Sequence, residues 1–457
     1  MADDARTRPQ HGLQKLAETI CETVVDAKQK GTIQPEQEPF WQVKVNDFQY
    51  TDGGITQARS ERTMVTKTTW IRASAALRTR VFEDTTFLST LADLEAAFPD
   101  VSDMRQHLET FAGSIFQRCL GNDQDRELQG ETDSTIEKFL GELSGRVVTY
   151  RAKVELSGVV LRPRSVSLEA GITIRQPVKE DIEKTFRAFS PLHRPFETFP
   201  SAILEVELRA NRGRNALLQA KVEHCVALLR LFKVGGAKWT SYDMSSDSLL
   251  DVFGGTLGSG TTSAALETYV ITREEEVNLK RFWETLSVLL PKNVYDFDKQ
   301  INHITLAYDR YSDGLLQNGI IERRIANAVM GFEALFLEET QELSYRLRLR
   351  ISKILSMVGR NPLQVRETIK DAYEIRSTFA HGGHLDHKNK KPLERKYGDV
   401  KSLLHSTLDY LRLSIIIMIL SRTSKEELVD LIDDALLDSD KNQQLQGRVS
   451  GAKALLA

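Results

Sequence analysis

The chain has 457 residues, of which 27% are charged and 41% hydrophobic, and its formal net charge is -3. That length exceeds what a single hydrophobic core usually serves and predicts two or three domains. The charge balance excludes a surface coated with positive potential for non-specific duplex binding, while leaving room for a local basic patch.

Residues 1–140 read as a mixed region. A helix is predicted over His11–Val25, and FWQVKVNDFQY, Phe40–Tyr50, alternates like a strand before the turn residues Asp52, Gly53 and Gly54. From Thr63 the helical and strand periods conflict, after which Thr86–Leu120 reads as largely helical. The scattered acids Glu38, Glu61 and Asp84 carry no assignable chemistry.

Residues 141–300 change character to a strand-rich α/β or α+β region, a candidate sensor or regulatory part whose fold could serve recognition without chemistry. RVVTYRAKVEL and VVLRPRSVSLEAGITIRQ are rich in β-branched residues, and AILEVELRANRG alternates before a glycine turn. A helix over Asn215–Phe232 and a further strand over Leu266–Thr272 follow. Three constellations here fail on chemical grounds. Gly255–Thr261 has the glycine spacing of a phosphate loop, but Thr261 stands where a lysine must reach the phosphates. His224 and Cys225 are adjacent on a helix and so face different directions, which predicts packing rather than a nucleophile pair. His193 sits between prolines in a rigid turn. Arg151, Arg162, Arg164 and Arg175 form a candidate RNA-contacting strand face, although charged residues alternate onto the solvent side of most half-buried sheets.

Residues 301–440 are almost wholly helical in period, with helices expected over Gly319–Glu339, Glu342–Ser356, Leu363–Ala380, Gly398–Arg422 and Lys425–Leu437. Their apolar faces must bury one another, which predicts a bundle. The run Leu411–Leu420 is far short of the roughly 20 residues of a membrane span and predicts a buried helix segment, so no membrane partner is expected. Residues 441–457 read as a polar tail. The three cysteines, at 21, 119 and 225, have no paired spacing; with the charged opening MADDARTRPQ they predict a reducing, cytoplasmic setting.

One stretch organises the rest. In IKDAYEIRSTFAHGGH, Ile369–His384, an amphipathic helix runs to a double glycine with Arg376 and His381 at its end. Gly382 and Gly383 supply the helix stop, and a guanidinium beside an imidazole suits a phosphodiester. Around them lie Arg346, Arg348, Arg350 and Lys353 on a neighbouring helix, and Lys388, Lys390, Lys391, Arg395 and Lys396 beyond the stop, where a polar loop is expected. A competing metal reading groups His381, His384 and His387 with Asp386, but the glycines break the helix that would align them.

The motif Arg376-Ser377-Thr378-Phe379-Ala380-His381, with Tyr373 before it and Gly382-Gly383 after it, resembles the R-x4-H signature of HEPN domains. The preceding GFEALFLEE and SYRLRLRISKIL segments are most similar to the ApeA-like branch, and the resemblance covers residues 305–440. It implies an all-α HEPN-like bundle, which with the strand-containing N-terminal region read above makes an α+β multidomain chain. It further implies a homodimer or higher oligomer, metal-independent and cofactor-free cleavage of RNA, and a place in antiphage defence or a toxin system. Carried over by position, Arg376 and His381 are the catalytic pair. Glu333 stands where the family often keeps an acid that orients the arginine, with Tyr373 and Ser377 in support; Ser377 departs from the Asn, Asp or His common after the arginine. The RNA-contacting set is Arg346, Arg350, Lys353, His384, His387, Lys388, Lys390 and Lys391. The N-terminal region would then answer to a phage-derived trigger or an inhibitory partner. The alternative is a catalytically silent RNA-binding or oligomerisation protein.

Overall fold

The computed structural model describes residues 4–121, 125–188, 199–213, 215–251, 255–258, 268–294, 301–317, 319–338 and 341–456. The chain begins with helix α1 (Asp4–Gln29) and a ribbon of two long strands, β1 (Glu36–Thr51) and β2 (Gly54–Thr69). Helices α2 (Ile71–Phe82), α3 (Thr85–Ala97), α4 (Met104–Gly121) and α5 (Asp125–Leu143) complete the N-terminal part. A strand-rich part follows: β3 (Val147–Ser157), β4 (Val159–Leu161), β5 (Ser165–Glu169), β6 (Ile172–Arg175), α6 (Lys179–Ala188), β7 (Ala202–Asn211), α7 (Asn215–Phe232), β8 (Lys238–Ser246), β9 (Gly255–Gly258), β10 (Tyr269–Ile271) and α8 (Glu275–Leu286). The C-terminal stretch is helical: α9 (His303–Leu316), α10 (Ile321–Phe336), α11 (Leu343–Ser356), α12 (Pro362–Ala380), α13 (His387–Tyr397), α14 (Val400–Ser421), α15 (Lys425–Asp434) and α16 (Ser439–Leu456). A mixed α+β region thus precedes a largely helical one.

Apolar residues on α1 to α5, from Leu13 to Leu143, close one core of their own. The α1–α4 packing brings Cys21 and Cys119 into a disulfide across a Cα separation of 5.7 Å. That contact removes the premise, unpaired cysteine spacing, behind the expected reducing compartment. Where the periods conflicted, the chain forms β2 and then α2. The ribbon leaves the helical core and docks elsewhere: Val43 and Val45 pack on Ile182 and Phe186 of α6. At its tip, the Tyr50 hydroxyl donates to Ser201 O at 2.7 Å and accepts from Leu161 N at 3.1 Å, while Arg162 pairs with Asp52 at 2.7 Å.

Six antiparallel strands order as β5-β6-β7-β3-β8-β9, while β4 and β10 form a separate parallel pair. Alternation along β3 sends Val148, Tyr150, Ala152, Val154 and Leu156 inward, onto the side covered by α7 and α8. Its other face carries charges in mutual pairs. Arg151 meets Glu207 at 3.2 Å, and Arg175 meets Asp181 at 2.7 Å and Glu205 at 2.8 Å. With Arg162 held by Asp52, three of the four arginines of the candidate RNA face pair with acids. Arg151 and Arg162 make these pairs at the surface, while Arg175 is mostly buried.

On α7, His224 and Cys225 are packed, as the adjacency argument required, with His224 only 7% exposed. Burial, aided by Lys221, pushes the His224 imidazole down to about 4. The unfolded imidazole takes up its proton below about pH 6.5, so between 6.5 and about 4 the unfolded state binds more protons. Stability is expected to fall across that window by up to about 3 kcal/mol and then level off. Urea unfolding of the parent and of His224→Gln at stepped pH checks this, since the variant should lack the slope.

The strand-rich part and the C-terminal helices share one continuous core running from Val148 to Ala452. The expected break near residue 300 is therefore not a gap between cores. Two side chains show why. Arg412 of α14 donates to Leu231 O at 2.9 Å and Phe232 O at 3.0 Å, satisfying carbonyls that the end of α7 leaves open. Tyr311 of α9 donates to Arg230 O at 2.9 Å. Helix α14 is long and apolar enough to cross a membrane, but 78% of its apolar window is buried within the protein. Gly314 and Gly331 let α9 and α10 approach it; a Cβ on them would lie 2.7 Å from Leu408 and 2.6 Å from Leu411. The expected C-terminal tail is instead helix α16, which buries Leu445, Val449 and Ala452 in the same core.

Candidate functional site

Helix α12 starts on Asn361, whose side chain accepts from Leu363 N at 3.0 Å and Gln364 N at 3.2 Å, with Pro362 at the first helical position. Val365, Ile369, Ala372 and Ile375 bury one face. The helix ends as its sequence predicts. His381 is the exposed C-cap, and Gly382, with φ of +77°, takes the left-handed conformation that turns the chain away. Gly383 N donates to Thr378 O at 2.9 Å, and a Cβ there would strike the Thr378 side chain at 2.8 Å.

Arg376 faces α10, where its Nη2 meets Glu333 Oε2 at 3.0 Å, and its guanidinium carbon lies 5.8 Å from the centre of the Tyr373 ring. Burial raises the Glu333 carboxyl above the usual range although Arg376 pulls it down. The other carboxylate oxygen, Oε1, is buried without a hydrogen-bond partner. Glu333, Tyr373 and Arg376 therefore form one cluster. His381 does not join it: five residues advance a helix by about 140°, and among the described residues no hydrogen bond or ion pair links His381 to Arg376. Ser377 contributes its carbonyl, which accepts from His381 N at 3.3 Å.

The cationic residues divide. Arg350 is 2% exposed and fully engaged: its Nε and Nη2 reach Asp433 at 2.9 and 2.7 Å, and its Nη1 reaches Phe336 O at 2.6 Å. Its assignment to RNA is corrected, because a guanidinium spent on three acceptors inside the fold cannot meet a phosphate in solvent. Arg346 and Lys353 are half-buried on the same helix, and burial pushes the Lys353 amine down. His384, His387, Lys388, Lys390 and Lys391 are exposed.

The segment after the glycines is not a polar loop but helix α13. Asp386 caps it by accepting from Asn389 N at 2.8 Å, and Asp371 of α12 holds its far end through Lys396 and Tyr397, both at 2.7 Å. Leu385 N donates to Glu322 at 3.2 Å, fixing the connection to the start of α10. Between α12 and α13 lies a cavity of about 330 Å³ lined by Asp371, Glu374, Thr378, His384, Asn389 and Leu393. Glu374 and Thr378 belong to the same helical stripe as His381. Asp371 and Asn389 were missed in the sequence; the only available signal was their spacing from the motif.

Among the described residues, no group of three or more histidines, cysteines or acids is placed to hold a metal. The three-histidine reading fails because His381 ends one helix, His384 lies in the connection and His387 begins the next. Of the other constellations, Gly255–Gly258 is an edge strand paired with β8, while Thr261 and His193 lie outside the described residues. Comparison with protein-family models, curated proteins and solved structures finds no match to this chain.

Proposed function

We propose that the chain is a metal-independent endoribonuclease acting through Arg376 and His381, serving antiphage defence or toxicity under control of its N-terminal region. The observation that carries this reading is the end of α12. An exposed imidazole stands on a glycine-fixed helix stop, five residues after an arginine positioned by an acid, beside a helix that presents cationic residues.

RNA carries its own nucleophile, so the protein has to move protons and stabilise charge. His381 takes the 2'-OH proton or gives one to the departing 5'-oxygen. A second copy's His381 supplies the complementary step, with the two chains forming a homodimer. Arg376 clamps the phosphate as charge develops, and Glu333 and Tyr373 act as positioning residues that hold the guanidinium. Lys388, Lys390 and Lys391 track the phosphate backbone from α13. Products carry a 2',3'-cyclic phosphate and a 5'-OH.

Arg376→Ala and His381→Ala are each expected to lower RNA cleavage in EDTA by about 100-fold or more while the fold is retained. Mass analysis of product ends is the check; cleavage at the parental rate by both variants removes the assignment. A second reading, a catalytically silent RNA-binding protein, is favoured by the Arg376–Glu333 pair, which turns the arginine inward. It predicts RNA binding without new 5'-OH ends.

A further inference from the structure

In the N-terminal part, a cleft of about 500 Å³ opens where α2 and α4 meet the segment that follows β8. Its lining includes Arg78 and Phe82 from α2, Gln106, Thr110 and Gln117 from α4, and Leu249. That volume falls within the range of small-molecule sites, which combine apolar walls with a few converging polar groups.

Arg78 is the unusual member. Its Nε is buried, and among the described residues no acceptor reaches it and no acid forms an ion pair with its guanidinium. Leaving a buried donor unsatisfied costs on the order of 1–3 kcal/mol. The guanidinium lies across Gly113, where even an added Cβ would sit 3.7 Å from its Nη2, so α4 offers it no side chain there. The neighbouring hydroxyls cannot serve as further donors. Thr110 already donates to Gln106 O at 2.9 Å, and Ser114 donates to Phe111 O at 2.7 Å. Glu109, also on the rim, is held by Arg105 at 3.1 Å. Donors toward the cleft are thus Arg78 and the carboxamides of Gln106 and Gln117, and apolar surface comes from Phe82 and Leu249.

We infer that this cleft binds a small oxyanion, carboxylate or phosphate, attached to an apolar body. The oxyanion takes the Arg78 fork, and the body lies between Phe82 and Leu249. The far wall is tied to the N-terminal bundle by buried Glu142, which accepts from Leu249 N at 2.8 Å and from the Ser248 hydroxyl at 2.7 Å. A ligand there touches both the helical bundle and the strand-rich part.

Phenyl phosphate and benzoate are the probes, titrated calorimetrically into the full chain at constant ionic strength, with inorganic sulfate as control. Saturable binding of at least one aromatic probe is expected, weakened about tenfold or more in Arg78→Gln, with sulfate bound more weakly. The unliganded Arg78→Gln protein should melt at or above the parental temperature, because it no longer buries an unsatisfied donor. Absence of saturable binding by both probes, equal binding in the variant, or a lower melting temperature of the unliganded variant each overturns the inference. None of these readouts depends on nuclease activity.

Discussion

Replacing Asp433 with alanine is expected to destabilise the protein by about 3–5 kcal/mol, and more than Arg350→Met does. The asymmetry follows from where the two charges lie. Arg350 has 2% of its side chain exposed and Asp433 has 44%. Truncating the aspartate removes the carboxylate that answers a guanidinium inside the fold, and the neutral Phe336 O, accepting at 2.6 Å, does not replace that charge. Removing the arginine instead leaves a carboxylate that water can solvate, and methionine fills most of the volume. Three helices depend on this group, since Arg350 of α11 ties the end of α10 to α15. Urea unfolding of both single variants and the double variant is the measurement. A larger loss in Arg350→Met would show that packing of the stem, not charge burial, dominates here.

Arg350 also illustrates what sequence patterning carries and what it does not. Helices α10, α11, α12, α14 and α15 were legible because each repeats apolar residues at the helical period, and the α12 stop because only glycine readily takes the left-handed turn. Period alone does not say which cation on a helix faces inward. Arg346, Arg348 and Arg350 alternate along α11, and only the distant Asp433, 83 residues away, decides that Arg350 is structural. Helix α13 was read as a loop for a related reason. It buries no residue, so it shows no apolar stripe, and it is held by its Asp386 cap and by Lys396 and Tyr397 reaching Asp371. Helix α16 was hidden by weak amphipathicity, with only Leu445, Val449 and Ala452 buried along its length. The cysteine pair was hidden by sequence distance, since 98 residues separate Cys21 from Cys119. At the candidate site, Arg376 meets Glu333 and lies near the Tyr373 ring. Asp371 and Asn389 become visible only once α13 has folded back beside α12.

Gly158→Ala is expected to cost at least about 4 kcal/mol, enough to prevent folding at physiological temperature in a marginally stable chain. Gly158 sits between β3 and β4 with φ of +78°, and an added Cβ would lie 2.2 Å from Gly236 O and 2.4 Å from its carbon. Both neighbours are backbone, so no side chain can rotate away. The flanking Leu156 and Val159 are fully buried, and Gly158 O accepts from Tyr269 N at 3.2 Å, which ties the turn to β10. Any relief must therefore shift a strand that the shared core holds in place. Gly145→Ala is the internal control: its φ is +85°, but nothing lies within 4 Å of its Cβ position. It should cost only the conformational penalty of about 1–2 kcal/mol. Expression yield and thermal melting of the two variants separate steric overlap from backbone preference. If Gly158→Ala melts no lower than Gly145→Ala, the close approach of the β3–β4 turn to Gly236 is wrong.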